Sequence, residues 1–153
     1  DQIDAAKYFS DLEFIDKDRI GIKGWSYGGY MSSLAITKGA DVFKLAVAVA
    51  PVTNWRYYDN IYTERYMQTP QENEKGYDEN SPINHVDKLK GKYLLIHGTA
   101  DDNVHVQNTY EMTSALVRAN KQFDLFVYPD KNHGIYSRFH LYTKITSFIE
   151  DNL

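Results

Sequence analysis

The sequence predicts an α/β fold with a parallel β-sheet, and three observations carry that prediction. Short strand patterns alternate with helical patterns along the chain, as they do where helices pack on the faces of a parallel sheet. The run Leu45 to Ala50 is small and continuously apolar and is ended by Pro51, which suits a strand buried on both faces. The chain has 153 residues, enough for one domain with a hydrophobic core, and shows no internal repeat.

The elements follow in order. Asp1 to Phe14 reads as a helix with Ile3, Ala6, Phe9 and Leu12 on one side. Asp16-Lys17-Asp18 is a polar turn, after which Ile20 and Ile22 alternate in a short strand, Arg19 to Gly24. Gly28 to Thr37 is helical, Leu45 to Ala50 a strand, and Trp55 to Met67 a helix. Gln68 to Asn80 is polar and Glu-rich, with Pro70 and Gly76, and reads as an exposed loop. Tyr93 to Gly98 is a strand. His105 to Ala119 is a helix with Val106, Tyr110, Thr113 and Leu116/Val117 inward. Phe123 to Tyr128 is a strand, and Ser137 to Leu153 a helix with Leu141, Tyr142, Ile145 and Phe148/Ile149 inward. The expected sheet has about four parallel strands.

Composition narrows the function. A hydrophobic share of 42% and a charged share of 25% are those of a globular protein. The net charge of −4 gives no footprint for nucleic acid or an anionic membrane, and no apolar run approaches a membrane span. Without cysteine, disulfides, thiolate catalysis and cysteine-ligated metals are excluded. The five histidines show neither H-x-x-x-H nor H-E-x-x-H spacing, so neither a metal nor another cofactor is expected. A start at Asp1 rather than methionine, with no signal peptide, leads us to expect a processed or partial chain.

Gly24-Trp25-Ser26-Tyr27-Gly28 is G-x-S-x-G between a predicted strand and a predicted helix. In that context it is a nucleophile elbow, a sharp turn that lifts a serine hydroxyl above the sheet. Glycines suit the cramped turn, and the Tyr27 N–H at the helix start can serve an oxyanion. A serine nucleophile needs a base that is itself oriented by an acid. Functional groups of such sheets gather at the carboxyl ends of the strands. Ser26 follows the first strand, Asp101 the third and His133 the fourth, the Ser, Asp, His order of α/β-hydrolases.

Rivals exist for each role. Asp102 adjoins Asp101 and either can be reached by an imidazole; the alternative duty of Asp102 is helix capping, and that of Asp130 a turn. His97 lies in a strand and is expected to bond to backbone, whereas His105, His85 and His140 suit capping or solvated positions. His133, just past the last strand and beside a glycine, is the preferred base.

Tyrosine occurs 13 times, and Tyr58, Tyr62 and Tyr66 at i, i+4, i+8 share one helical face. Simple core packing accounts for Tyr66, but three phenols on one face also make an aromatic wall suited to a flat apolar ring such as proline.

At this point the chain resembles a known family. Gly24-Trp25-Ser26-Tyr27-Gly28-Gly29-Tyr30, Ala50-Pro51-Val52, Trp55-Arg56-Tyr57-Tyr58-Asp59, Tyr62-Thr63-Glu64-Arg65-Tyr66-Met67, the run His97 to His105, and His133-Gly134 carry the likeness. In this order they are similar to the catalytic domain of the dipeptidyl peptidases of the prolyl oligopeptidase family. The resemblance implies the C-terminal part of an α/β-hydrolase fold, with helices on both faces of the sheet. It implies Ser26 as nucleophile, His133 as base and Asp101 rather than Asp102 as the orienting acid. Tyr58 and Tyr62, with Val52, Trp55 and Val104, would form a pocket for a penultimate proline or alanine, and Asn103 would hold the carbonyl of the first residue. Peptides would be the substrates and a homodimer the assembly, in a parent enzyme that is periplasmic, secreted or membrane-anchored.

The resemblance also implies parts not found here. These are a β-propeller carrying the glutamates that capture the substrate amine, the early hydrolase strands, and an upstream tyrosine that completes the oxyanion hole. The expectation is a weakly active or inactive fragment whose strand Arg19 to Gly24 presents a bare edge that promotes pairing. Two other functions compete: another hydrolase activity, such as an esterase or a tripeptidyl or acylaminoacyl peptidase, and a non-catalytic dimerisation module. The Tyr58 and Tyr62 pair has no purpose in a generic esterase, and the complete serine, aspartate and histidine set speaks against the module for the parent protein.

Overall fold

A computed structural model describes residues 1–153. Its centre is a sheet of four parallel strands in the order β1-β2-β3-β4, with β1 Gly21–Trp25, β2 Leu45–Val49, β3 Lys92–Gly98 and β4 Asp124–Tyr128. Because all three strand pairings are parallel, every carboxyl end opens on the same edge of the sheet.

Alternation of side chains splits the core into two layers. On one face Ala46, Ala48, Tyr93 and Leu95 pack against Ala6 of α1 (Gln2–Ser10), Ala35 and Ile36 of α2 (Tyr27–Lys38), and Met112 and Leu116 of α5 (Gln107–Arg118). On the other, Leu45, Val47, Val49, Leu94 and Ile96 meet Leu141, Ile145 and Phe148 of α6 (Arg138–Asn152). Each residue of β2 is buried, as a continuously apolar strand covered on both faces must be. Tyr93 is fully buried with its hydroxyl 2.7 Å from Ser33 Oγ, so the one phenol in this layer is paired. No helix is long and apolar enough to cross a membrane.

The structure corrects several sequence expectations. The helix expected over 55–67 is a 3₁₀ turn, Trp55–Tyr57, followed by α3, Asn60–Met67. Asp59 divides them, because its side chain accepts from the Tyr62 N–H and starts a new helix. The supposed loop 68–80 contains α4, Glu74–Glu79, capped by Asn73 and anchored by buried Tyr77. The first helix stops at Ser10, leaving Phe9 and Phe14 exposed. Tyr142 of α6 is likewise about half exposed, and the helix buries Leu141, Ile145 and Phe148.

On α5 the buried stripe is Asn108, Thr109, Met112, Ala115 and Leu116, whereas Tyr110 and Val117 face solvent. Leu116 is 0% exposed and Val117 64%. Leu116→Ala is therefore expected to lower unfolding free energy by about 2–5 kcal/mol and Val117→Ala by no more than about 0.5 kcal/mol, read from urea denaturation midpoints. Equal losses would place the helix on the face its apolar pattern predicts.

Candidate active site

Four carboxyl-terminal loops build the site. At the end of β1, Ser26 adopts φ 60°, ψ −118°, a conformation a non-glycine residue holds only when its surroundings enforce it. Here the Ser26 N–H donates to the Val49 carbonyl at 2.8 Å and the Ser26 carbonyl accepts from the Tyr30 N–H at 2.9 Å. A Cβ at Gly24 would fall on the Gly28 backbone, and one at Gly29 would lie 2.8 Å from the Val49 carbonyl oxygen. A Cβ at Gly28 would meet nothing within 4 Å, so the crowding expected of the motif belongs to Gly24 and Gly29.

Two loops bring an acid and an imidazole together. The Ala100 N–H donates to the Lys131 carbonyl at 3.1 Å, and the Asp130 N–H to Thr99 Oγ1 at 2.9 Å, which zips the loop after β3 to the loop after β4. Asp101 is buried, and its Oδ2 accepts from His133 Nδ1 at 2.8 Å. The Trp25 indole N–H donates to the His133 carbonyl at 3.0 Å, so the residue before Ser26 grips the histidine loop directly. Ser26 Oγ and His133 share no hydrogen bond; the indole links the elbow to the His133 backbone, while the imidazole is held by Asp101.

The rivals have other occupations. Asp102 is exposed and caps nothing, since α5 begins at Gln107 without a side-chain cap. His105 therefore precedes that helix rather than opening it, and its carbonyl accepts from Asn108. His85 Nε2 lies 2.8 Å from the Glu79 carbonyl, and His140 Nδ1 lies 2.8 Å from the Tyr128 hydroxyl. His97 does bond to backbone, as expected, through Nε2 to the Val104 carbonyl at 2.8 Å. It also reaches Asp101 Oδ2 at 3.1 Å, which its position within a strand did not reveal.

Electrostatics at Asp101 are a contest. Burial pushes the carboxyl toward its neutral form. Hydrogen bonds from His133, then His97, then the Asn103 N–H, and the positive charge His133 can carry, together outweigh burial. The carboxyl is held well below the ordinary carboxylate range.

Beside this pair stands an aromatic wall. Val52, Trp55 and Val104 belong to one buried cluster with Tyr30 and Tyr77, and Tyr58 packs against it. Trp55 and Tyr62 stack with centroids 6.2 Å apart, and Tyr58 meets Tyr62 edge-on at 5.4 Å. Although Tyr58 lies outside α3, its ring joins those of Tyr62 and Tyr66, the latter pair 5.0 Å apart. Tyr27 lies 6.1 Å from Trp55 and connects the elbow to the wall. Behind Trp55 and Tyr62 a cavity of about 510 Å³ is lined also by Tyr66 and Met67. Burial first, then Asp59, Tyr62 and Asp101, raises the Tyr58 phenol above its ordinary value, so it stays a donor at neutral pH. That hydroxyl donates to Asn103 Oδ1 at 2.7 Å, which leaves the Asn103 amide N–H₂ free to meet an acceptor.

The fold thus joins Asp101 to His133 and groups Val52, Trp55, Tyr58, Tyr62, Asn103 and Val104, while Ser26 reaches the histidine loop only through its neighbour Trp25; the sequence reading passed over Trp25, Asn108 and Thr109. Trp25 lay inside the motif, but only the fold places it against His133. Asn108 takes the Thr53 N–H on Oδ1 at 2.9 Å, and its carbonyl accepts from Thr53 Oγ1 at 2.6 Å, holding the strand exit that carries Val52.

The Asp101 arrangement predicts a pH-dependent stability term. A depressed carboxyl stabilises the fold above its unfolded value near ~4, and that contribution is lost as pH falls through the lower folded value. Asp101→Asn should cost about 3 kcal/mol at pH 7, with the gap from wild type closing below about pH 4 in denaturant titrations. A gap that stays constant down to pH 3 would contradict this reading.

Comparison with known proteins agrees with the geometry. The profile of the prolyl oligopeptidase family matches residues 1–153. Dipeptidyl peptidase 4 of Felis catus is 48% identical over 156 residues, covering 98% of this chain and 20% of that protein. Prolyl endopeptidase FAP of Homo sapiens is 47% identical over 155 residues, with the same 98% and 20% coverage. Among solved structures, dipeptidyl peptidase 4 of Porphyromonas gingivalis superimposes with a TM-score of 0.97 at 50% identity, covering 99% of this chain and 22% of that one. A putative dipeptidyl aminopeptidase IV from Bacteroides ovatus gives 0.97 at 41% identity, covering 100% and 22%. The chain therefore spans about a fifth of the length of the relatives it matches. Sheet order and a match over its whole length agree: the chain belongs to the prolyl oligopeptidase family of serine peptidases.

Proposed function

We propose that these residues form part of the catalytic domain of a serine exopeptidase that releases N-terminal dipeptides with proline or alanine in the second position. The observation that carries this reading is the Asp101–His133 hydrogen bond, tied by Trp25 to the strained Ser26 elbow and flanked by the Trp55, Tyr58 and Tyr62 wall. Asp101 accepts from Nδ1 of His133 and so leaves Nε2 as the nitrogen that takes the Ser26 proton. Ser26 Oγ attacks the carbonyl carbon of the second residue, and the Tyr27 N–H meets the oxyanion. The C–N bond breaks as His133 returns the proton to the leaving amine. Water, deprotonated by His133, then hydrolyses the dipeptidyl ester and restores the Ser26 hydroxyl.

Val52, Trp55, Tyr58, Tyr62 and Val104 take the flat ring or methyl of the second residue, and Asn103 Nδ2 donates to the first residue's carbonyl. The family resemblance assigns a second oxyanion donor and the amine-binding carboxylates to segments outside these 153 residues. The isolated chain is accordingly expected to be slow, since loss of one oxyanion donor costs about 10²–10³-fold in turnover. By the same resemblance the parent works as a homodimer in a periplasmic, secreted or membrane-anchored setting.

One relative is a prolyl endopeptidase by name, which favours a second reading in which a free amine is dispensable. Chromogenic Gly-Pro, Gly-Ala and acetyl-Gly-Pro reporters separate the readings. We expect slow release from Gly-Pro, weaker release from Gly-Ala, and none from either with Ser26→Ala. Acetyl-Gly-Pro cleaved as well as Gly-Pro would favour the endopeptidase, and simple acyl esters cleaved ahead of all three would overturn the peptidase assignment.

A further inference from the structure

His97 is 0% exposed at the end of β3, and its ring is hydrogen bonded on both sides. Nε2 faces two groups that only accept, Asp101 Oδ2 at 3.1 Å and the Val104 carbonyl at 2.8 Å, so Nε2 carries the proton. Nδ1 lies 2.7 Å from the hydroxyl of buried Thr109 on the first turn of α5. The other oxygen of the same carboxylate accepts from the Asn103 and Val104 N–H groups, each at 3.0 Å. Asp101 therefore has two donors on each oxygen, and the two on Oδ2 are both imidazoles, His97 and His133.

A carboxylate held only by its two backbone donors can still turn about its last torsion, a broad two-fold well. The second donor on Oδ2 removes that freedom and fixes the oxygen toward which His133 must point. A histidine serving only to satisfy the Val104 carbonyl would not need its N–H shared with Asp101.

We propose that His97, braced by Thr109, is a positioning residue that orients the Asp101 carboxylate so that Oδ2 holds the Nδ1–H of His133. The proposal rests on reading Asp101 and His133 as the acid and base of the site. Its action is indirect: His97 touches neither substrate nor nucleophile.

The test compares the 153-residue chain with His97→Leu, which removes the donor, His97→Gln, which keeps an amide N–H near the Nε2 position, and Thr109→Val, which leaves His97 in place without its brace. Two readouts are taken beside thermal unfolding: the far-downfield NMR resonance of the His133 Nδ1–H, and the rate at which Ser26 takes a fluorophosphonate label. We expect His97→Leu to abolish or broaden the resonance and slow labelling by about 10- to 100-fold, the scale of a misplaced reacting group. His97→Gln should recover most of both, and Thr109→Val should broaden the resonance while the chain stays folded. Should His97→Leu fail to fold, His97→Gln and Thr109→Val decide through the same resonance. A resonance and labelling rate unchanged in every folded variant, with only the unfolding temperature lowered, would overturn the proposal. Absence of label in a wild-type chain that shows the resonance would count against Ser26 as nucleophile, while loss of that resonance in the variants would still support His97 in its role.

Discussion

The Asp101 carboxylate is the constraint on which the rest of the site depends. Buried within the domain, it takes donors from His97 at the end of β3, from His133 on the loop after β4, and from two backbone amides of its own turn. An ionised group there is tolerable only with that full set, because burial alone favours the neutral acid. Satisfying it fixes the loop after β3, draws the loop after β4 onto it, and so decides where the His133 ring stands.

The fold supplies the framework for this arrangement. Four parallel strands in sequential order deliver Ser26, Asp101 and His133 to the same edge. Buried β2 holds the elbow through the Val49 carbonyl, and Trp25 fastens the elbow to the histidine loop. Several residues here sit at positive φ without being glycine: Ser26, Ala50, Asp130 and buried Ile135. Such conformations cost about 1–3 kcal/mol each; the other two, Gln68 and Asn120, follow the ends of α3 and α5. Adjacent residues of α5 serve both halves, with Thr109 bracing His97 and Asn108 gripping Thr53 behind the aromatic wall. Acid and pocket thus share one rigid element.

Much of this was legible in the sequence. Strand positions followed from short apolar runs, and G-x-S-x-G between a strand and a helix marked the elbow. The order Ser, Asp, His along the chain pointed to His133 and to the Asp101–Asp102 pair by position, and only the family resemblance preferred Asp101. What could not be read arose where buried groups are polar. The apolar pattern of α5 turned the helix toward Tyr110 and Val117, because Asn108 and Thr109 look like surface residues until Thr53 and His97 are known to pair with them. The helix assigned to 55–67 hid the Asp59 cap, a single side-chain bond that no periodicity reports. Short α4 escaped for the same reason, a polar segment held by Asn73 and one buried tyrosine. The second histidine on Asp101 needed three-dimensional contact, since His97 and Asp101, although four residues apart, lie on a strand end and a turn rather than on one helix.

The central claim is that this chain folds into a site where Ser26 is a nucleophile activated by His133. Mass-spectrometric mapping of the residue modified when the folded chain meets a fluorophosphonate tests it most directly. The account predicts a single adduct on Ser26 that disappears with His133→Ala although that variant remains folded. An adduct on another residue, or one on Ser26 that forms equally fast without His133, would contradict it.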